Sequence, residues 1–500
     1  MYTQTPQRPP ATGALHGNLS TLKVVALAMA AAAPLVAMAG TVPLSMAIGN
    51  GAGVPGTYVV ATVTLLCFAV GYAAISRRVT SAGGFYAYVL KALGRPPAAA
   101  VGALSLVAYN AMVVALAGGS GYFAGIVGKL LFGVTAPWWL FSLAFVGIMA
   151  FLGYRQIDVS ARVLGVLMVL EVAMLAVLDI AIIATKGARA FPTASLSPHL
   201  VFSGAPGVAF MFAFASFCGF EAAAIYAREA RDPARSIPRA TYISVTVIGL
   251  FFCLTSWLAV GALGANQARQ VAADKQGMLF LGLTGSFLGD TMLDIFAILV
   301  ITSAFACLLS AHNAATRYTH TLGREGLLPR ALGRAHARHG SPYLASLAQS
   351  AMCLAVVVVY AVVGLDPYLN LTTTMSGIST LGIVLLEAVV AIAVIAYFRN
   401  HQDRHWWRTL LAPAIGLIGL LGATVLLLWN FDTLAGSHSA FVSSLPPAVV
   451  ALALLAVGRA LWMRKHDPAA YTLLGDDPDE SPQTTAPMNR HGMTGEGTAV

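Results

Sequence analysis

Residues 216–240 read SFCGFEAAAIYAREARDPARSIPRA. One carboxylate, Glu221, stands two residues after Gly219 inside an apolar run, and the run then ends in Arg228, Arg231, Arg235 and Arg239. A helix that is apolar on every face is one surrounded by lipid or by other protein. An acidic side chain at the centre of a membrane helix costs about 2.5 to 3.5 kcal/mol on insertion scales, so Glu221 requires a partner or a function. The arginines, with Pro233 and Pro238, mark where the helix leaves the membrane and turns.

The rest of the chain repeats this pattern. It has 500 residues, of which 58% are hydrophobic and 10% charged, with a mean hydropathy of +0.77, outside the range of soluble globular proteins. A crossing helix takes about 20 mostly apolar residues. Twelve such stretches are predicted, at 22–49, 56–75, 97–127, 136–153, 163–184, 206–226, 241–262, 287–311, 343–363, 371–397, 410–430 and 441–462. The fold class is therefore an all-α integral membrane protein with twelve transmembrane helices in one domain over 21–465. The polar segments 1–20 and 466–500 bury too little to order themselves. The first apolar stretch is too long and too interrupted for a cleaved signal sequence. Of the two longest polar connections, the one around LFLGLTGSFLGD is predicted to carry a short surface helix, and TRYTHTLGREGLLPRALGRAHARHGSP is a basic loop.

The net charge of +9 sorts by membrane side. With both termini in the cytoplasm, the inside segments hold Arg8, Lys23, Arg77, Arg78, Lys91, Arg95, Arg155, Arg162, the four arginines after Glu221, Arg317, Arg324, Arg330, Arg334, Arg338, Arg399, Arg404, Arg408, Arg459, Arg464, Lys465 and Arg490. Only Lys129, Lys186, Arg189, Arg269 and Lys275 remain outside. This is the positive-inside pattern of a multi-pass cell-membrane protein, and it accounts for the charge without nucleic acid. Cys67, Cys218, Cys253, Cys307 and Cys353 form no close pair, so they read as small apolar residues and no metal site or other cofactor is expected. Gly51, Gly53 and Gly56 satisfy G-x-G-x-x-G but follow a membrane span and include Pro55. No Walker loop, G-x-S-x-G elbow or H-E-x-x-H pair occurs, which argues against ATP-driven transport and an intramembrane enzyme. A channel would want a repeated filter or a continuous polar lining.

Two spans carry helix breakers near mid-membrane. The first contains Pro34, Gly40 and Pro43, and the sixth contains Gly219. They lie five spans apart, the interval of a five-plus-five inverted repeat over about 22–185 and 206–397, with two further helices over 410–462. Discontinuous helices 1 and 6 at equivalent positions of two repeats mark a transporter's binding site.

Gly219-Phe220-Glu221, Arg228-Glu229, Arg231-Asp232-Pro233 and Ser236-Ile237-Pro238-Arg239-Ala240 together resemble the sixth-helix signature of the amino acid-polyamine-organocation (APC) permeases. Ala82-Gly83-Gly84-Phe85-Tyr86-Ala87-Tyr88 with Leu93-Gly94-Arg95 is similar to that family's first cytoplasmic loop. The resemblance covers about 20–465 and implies a LeuT-like (APC) fold and secondary active transport of amino acids or related amines across a lipid bilayer. Two departures stand out. Ala37-Met38-Ala39-Gly40-Thr41 replaces the compact Gly-x-Gly of many members, and alignment through Ser160-Ala161-Arg162-Val163 puts Glu171 where some proton-coupled members have a lysine facing helix one.

A broken helix frees backbone groups that must line a cavity. N–H groups of the second half of helix one suit a carboxylate, and carbonyls ending the first half of helix six suit an ammonium. The expected substrate contacts are Ala37, Met38, Ala39, Gly40 and Thr41, then Ser216, Phe217, Cys218 and Gly219, with Asn110, beside Tyr109, reaching in from the third span. Phe214 and Phe217 are candidate gates, and Cys218 otherwise packs. Glu171 and Glu221 are the candidate proton carriers, Glu221 equally a tie between helices; sodium in place of H+, or exchange of two substrates, stays open. Glu387 is assigned a structural role, and Asp179 and Asp294 are placed in solvent near the outer interface. Ser303, Thr374 and Ser376 read as helix-to-helix hydrogen bonds, and His312 and Asn313 as the end of the eighth span. With no acidic partner beside Glu221, neutral substrates are favoured. A monomer and a homodimer are both compatible with the sequence.

Overall fold

The structure, a computed structural model, describes residues 20–79, 84–155, 161–221, 230–336, 341–399, 401, 403–437 and 439–475. Arg8, Ala82, Gly83, Ser160, Arg228, Glu229, Arg338, Arg490 and the segments 1–19 and 476–500 lie outside the described residues. The α-helices of five residues or more among the described residues are α1 (Thr21–Ala32), α2 (Pro34–Leu44), α3 (Val54–Ser76), α4 (Gly84–Leu93), α5 (Arg95–Phe132), α6 (Trp138–Arg155), α7 (Ala161–Lys186), α8 (Pro206–Phe217) and α9 (Pro233–Leu263). They continue with α10 (Ala268–Lys275), α11 (Leu279–Leu288), α12 (Asp290–Arg324), α13 (Tyr343–Val363), α14 (Thr373–Arg399), α15 (Ala412–Trp429), α16 (Phe431–Ala435), α17 (Ala440–His466) and α18 (Pro468–Leu473).

Ten helical stretches among the described residues are long and apolar enough to cross a membrane, and α8 is a shorter apolar helix. One of the ten, Pro34–Ser76, is two helices in succession: Gly49 is non-helical and Gly51 has φ 62°. The ends follow local chemistry. Pro96 and Pro97 open α5, where no intrahelical N–H is lost. Gly133 closes it at φ 65°, its N–H bonded to the Lys129 carbonyl while Val134 N–H reaches Gly128, a left-handed C-cap that satisfies the last carbonyls.

The apolar surface is arranged for lipid. Ile180, Val362, Ile418 and Trp429 are all exposed, an outward face that only hydrocarbon covers favourably. The interior collects α2, α3, α5, α8 and α14 into one apolar core. Helix approach there depends on missing side chains. A Cβ on Gly207 would collide with the Leu426 carbonyl, and the Gly207 N–H donates to Asn430 Oδ1 at 3.0 Å. Gly207→Ala is therefore expected to destabilise the protein by about 1 to 3 kcal/mol, because backbone cannot rotate out of the way. Gly147→Ala, in open space, is the control. A detergent melting curve checks it, and equal melting temperatures for the two variants would contradict the packing.

Four expectations change. The eighth helix does not stop at 311 but runs to Arg324, because Ala315, Thr316, Thr319 and Leu322 continue its buried stripe. The seventh begins at Pro233 rather than 241, with proline tolerated in its first turn. The LFLGLTGSFLGD segment is helical as expected, yet Leu279, Phe280, Leu281 and Leu283 are buried. The segment from 466 onward is ordered as far as 475. Asp467 caps α18 by accepting the Ala470 N–H at 3.0 Å, and Ala470 and Leu474 pack on Ala99, Ala460 and Met463. Arg95 donates to the Leu474 and Thr472 carbonyls at 3.0 and 3.1 Å. Gly475 N–H donates to Glu325 Oε1 at 3.1 Å, and Tyr86 donates to Glu325 Oε2 at 2.6 Å. Burial first, then the Glu325 charge, hold the Tyr86 hydroxyl well above its ordinary range, which keeps it a donor. Average composition hides these few anchoring residues.

Candidate functional site

The first apolar helix breaks at one residue. Ala33 takes the left-handed conformation, φ 43° and ψ 71°, which costs a residue with a Cβ about 1 to 2 kcal/mol. Pro34 then opens α2 without an N–H to orphan. This corrects the expected position. Ala37 to Thr41 lie within continuous helix, the Ala37 N–H returning to the Ala33 carbonyl at 2.9 Å, so their amides are already used. Gly40 and Pro43 do not interrupt α2; beyond Pro43 the helix widens into a π-helical turn from Ser45 and ends at Gly49, whose φ −97° and ψ −119° are non-helical. The first free donors of α2 are the N–H groups of Leu35 and Val36.

The Leu35 N–H is taken by Glu171. Its Oε2 accepts that bond at 3.3 Å, and the side chain is 3% exposed. An anion at a helix N-terminus meets the positive end of the dipole. Ser303 and Cys307 of α12 lie beside the same carboxylate. The expectation that Glu171 faces helix one is met, and three helices, α2, α7 and α12, converge on it.

The break after α8 lies where the glycine predicted it. Cys218 turns to ψ 127° and Gly219 to φ 118°, a region open to glycine alone. Cys218 N–H falls back on the Ala215 carbonyl at 3.1 Å, and its thiol points at the Phe214 carbonyl, 3.7 Å away, as packing requires. Glu221 spans the break. Its Oε2 accepts the Gly219 N–H at 2.8 Å and its Oε1 accepts the Tyr109 hydroxyl of α5 at 2.9 Å. Glu221 is thus a tie between helices, whatever else it does. Tyr109 stacks on Tyr318 at 5.4 Å between centroids.

Thr41 and Ser216, expected together, do meet. Their hydroxyls lie 3.0 Å apart, and Tyr58 of α3 joins both, at 2.9 Å from Ser216 and 3.4 Å from Thr41. Tyr368 donates to the Gly40 carbonyl at 2.8 Å and stacks face to face on Tyr122 with centroids 4.5 Å apart. Arg269, counted in the sequence only as a stray base, donates to the Gly49 carbonyl at 2.7 Å, where the carbonyl end of a helix favours a cation. Tyr58, Tyr122 and Tyr368 were missed; the available signal was a tyrosine in an apolar helix, whose hydroxyl needs a partner when buried.

Other expected contacts stand apart. The Asn110 amide donates within its own helix, to Leu106 at 2.7 Å. Among the described residues Asn110, Thr374 and Ser376 make no hydrogen bond to either break. Phe214 lines a small apolar cavity with Met211, Val384 and Leu427, and Phe217 packs edge-on against Phe252. Ala37, Met38 and Ala39 are buried. Asp294 is exposed as expected, but Asp179 is not solvated: it is 4% exposed and accepts from Thr255 at 2.8 Å. His312 is buried between Gln349 and Ser346, bonded to both. Glu387 is 2% exposed and lies within electrostatic reach of Glu221, with Cys218 close to both.

The sequence pattern described as amino acid permease matches residues 19–454. The branched-chain amino acid permease BcaP of Bacillus subtilis is 28% identical over 318 residues, 60% of this chain and 66% of that protein. The low-affinity putrescine importer PlaP of Escherichia coli is 26% identical over 317 residues, 61% of this chain and 67% of the importer. The chain thus spans about two thirds of the length of these relatives.

Proposed function

The chain belongs to the amino acid permease family of the APC superfamily, and from that premise we propose that it is a secondary active transporter of amino acids or related amines working by alternating access and proton symport. Family membership and the ten long apolar helices among the described residues make it a multi-pass membrane protein. Pairing α1 with α2 as the first crossing, and taking α8 as the first half of the sixth, gives twelve crossings with both termini cytoplasmic. The breaks at Ala33 and Gly219 then fall at equivalent places of two inverted repeats. Each break pairs with a buried carboxylate, Glu171 with the first and Glu221 with the second.

The observation that carries the proposal is the bond from Leu35 N–H to Glu171. A charged carboxylate holds the second half of helix one by charge and by hydrogen bond; a protonated one keeps only a neutral bond, about half as strong. Loading a proton at Glu171 therefore loosens the junction between α2, α7 and α12. Val36 N–H and the carbonyls ending α1 and α8 remain for the α-carboxylate and α-ammonium of a substrate. On the other side of the breaks, Tyr58 with Thr41 and Ser216, Tyr368 with Gly40, and Arg269 with Gly49 close the extracellular approach.

The test is uptake into proteoliposomes of labelled amino acids and amines under an acid-outside gradient. Saturable uptake that prefers the L enantiomer, needs no sodium and rises with the gradient is expected. Absence of saturable uptake for every substrate would overturn the proposal, and dependence on sodium would replace the proton. The closure has its own prediction. Tyr368→Phe deletes one hydrogen bond worth about 1 kcal/mol, a roughly fivefold shift towards the state open on that side. Faster thiol labelling of Gly40→Cys from outside, in a cysteine-free background, measures it, and unchanged labelling would contradict the gate.

A further inference from the structure

The proposed transport site contains one feature that transport of a neutral amino acid does not use. Glu221 and Glu387 are two buried carboxylates close enough to feel each other. Among the described residues neither forms an ion pair. Glu221 accepts at both oxygens, from Tyr109 and from Gly219, two bonds that favour its charged form. Glu387 has no hydrogen-bond partner among the described residues although it is 2% exposed.

Geometry aims Glu387 at the same place. Helices α14 and α5 touch backbone to backbone at Gly382, where a Cβ would stand 2.8 Å from the Ala108 Cβ. Thr380 and Val384 of α14 line one small cavity with Met211 and Phe214 of α8. Glu387 follows Thr380 by seven residues and Val384 by three, on the same face of α14, as Cys218 follows Phe214 by four, so both point to the turn where Glu221 takes the Gly219 N–H and the Tyr109 hydroxyl. Cys218, at the turn of the break, lies near both carboxylates.

Two like charges in a low-dielectric interior cannot both persist without a cation between them or a proton on one of them. A primary ammonium supplies three donors and one positive charge, which meets the unbonded Glu387 and the remaining lone pairs of Glu221 together. We propose that Glu221 and Glu387 form a subsite for the distal ammonium of the substrate, so that the cargo is a cationic amine, a diamine or a lysine-like amino acid, rather than a neutral amino acid. This rests on the transport reading and reverses the sequence-based preference for neutral substrates, which followed from seeing Glu221 without its partner.

The test compares substrates that differ by that one group. In full-length protein in proteoliposomes, L-lysine is set against L-norleucine, and 1,5-diaminopentane against pentylamine, as competitors of labelled uptake. Lysine and the diamine are expected to inhibit at concentrations about tenfold or more below their uncharged-tail partners, and Glu387→Gln is expected to bring that ratio towards one. Robust uptake in which norleucine equals or beats lysine would overturn the subsite while leaving transport standing. No saturable uptake of any amino acid or amine would sink the transport reading itself. If Glu387→Gln keeps the lysine-to-norleucine ratio but moves the pH dependence of uptake, the pair shares a proton and the proposal falls. Should that variant not fold, the wild-type melting temperature decides: a larger rise with lysine than with norleucine supports the subsite, and equal shifts refute it.

Discussion

Glu171→Gln is expected to lose accumulation of substrate against its gradient. Glutamine keeps an amide oxygen at the same place, so the Leu35 N–H retains an acceptor and the junction at Ala33 keeps its shape. What it cannot do is load and release a proton. With one proton moved per substrate, a gradient of one pH unit is worth about 1.4 kcal/mol and sustains about tenfold accumulation. The variant is therefore expected to fall from about tenfold to no accumulation under that gradient, while counterflow between equal pools, which needs no net proton movement, falls far less. Accumulation by Glu171→Gln at the wild-type level would remove Glu171 from the coupling. Glu171→Leu is expected to behave differently: it strands the Leu35 N–H in an apolar setting, at about 1 to 3 kcal/mol, and lowers the melting temperature as well as uptake.

Gly219→Ala is expected to act on the other break. At φ 118° the residue sits where a Cβ is strained whatever the space around it, at about 1 to 3 kcal/mol. The chain can relieve that strain only by refolding the turn, which moves the Gly219 N–H away from Glu221 Oε2 and lets go of the Tyr109 tie. Initial uptake rates per mole of protein are expected to drop by about tenfold or more. A wild-type rate for Gly219→Ala would show that the turn is not part of the working site.

The contrast between the two breaks explains what could be read from the chain. Gly219 announces itself, because a glycine followed by a membrane-embedded glutamate has few bland explanations. Ala33 carries no such mark. Three breakers crowd that helix, Pro34, Gly40 and Pro43, and only the first separates two helices, since the decision lies with the φ of the alanine before it. Glu171 was readable as a position facing helix one through the family resemblance, but its acceptance of the Leu35 N–H joins residues 136 apart. Tyr109 with Glu221, and Gly382 against Ala108, are likewise products of packing between distant helices. Glu387 reads from the sequence as a buried acid with a structural role, because nothing near it in sequence puts it within electrostatic reach of Glu221. Hydropathy alone marked long apolar stretches, and ten among the described residues are helical and long enough to cross a membrane, whereas helix ends such as Arg324 were set by buried stripes that outrun the membrane.

The central claim is that substrate moves together with a proton past the carboxylates at the two breaks. Its most direct measurement is the internal pH of sodium-free proteoliposomes, with the membrane potential clamped, when a transported amino acid or amine is added outside. Acidification of the lumen that starts with substrate, saturates with substrate and vanishes in Glu171→Gln is the result this account predicts. Saturable uptake by the wild-type protein with no change in internal pH would contradict it.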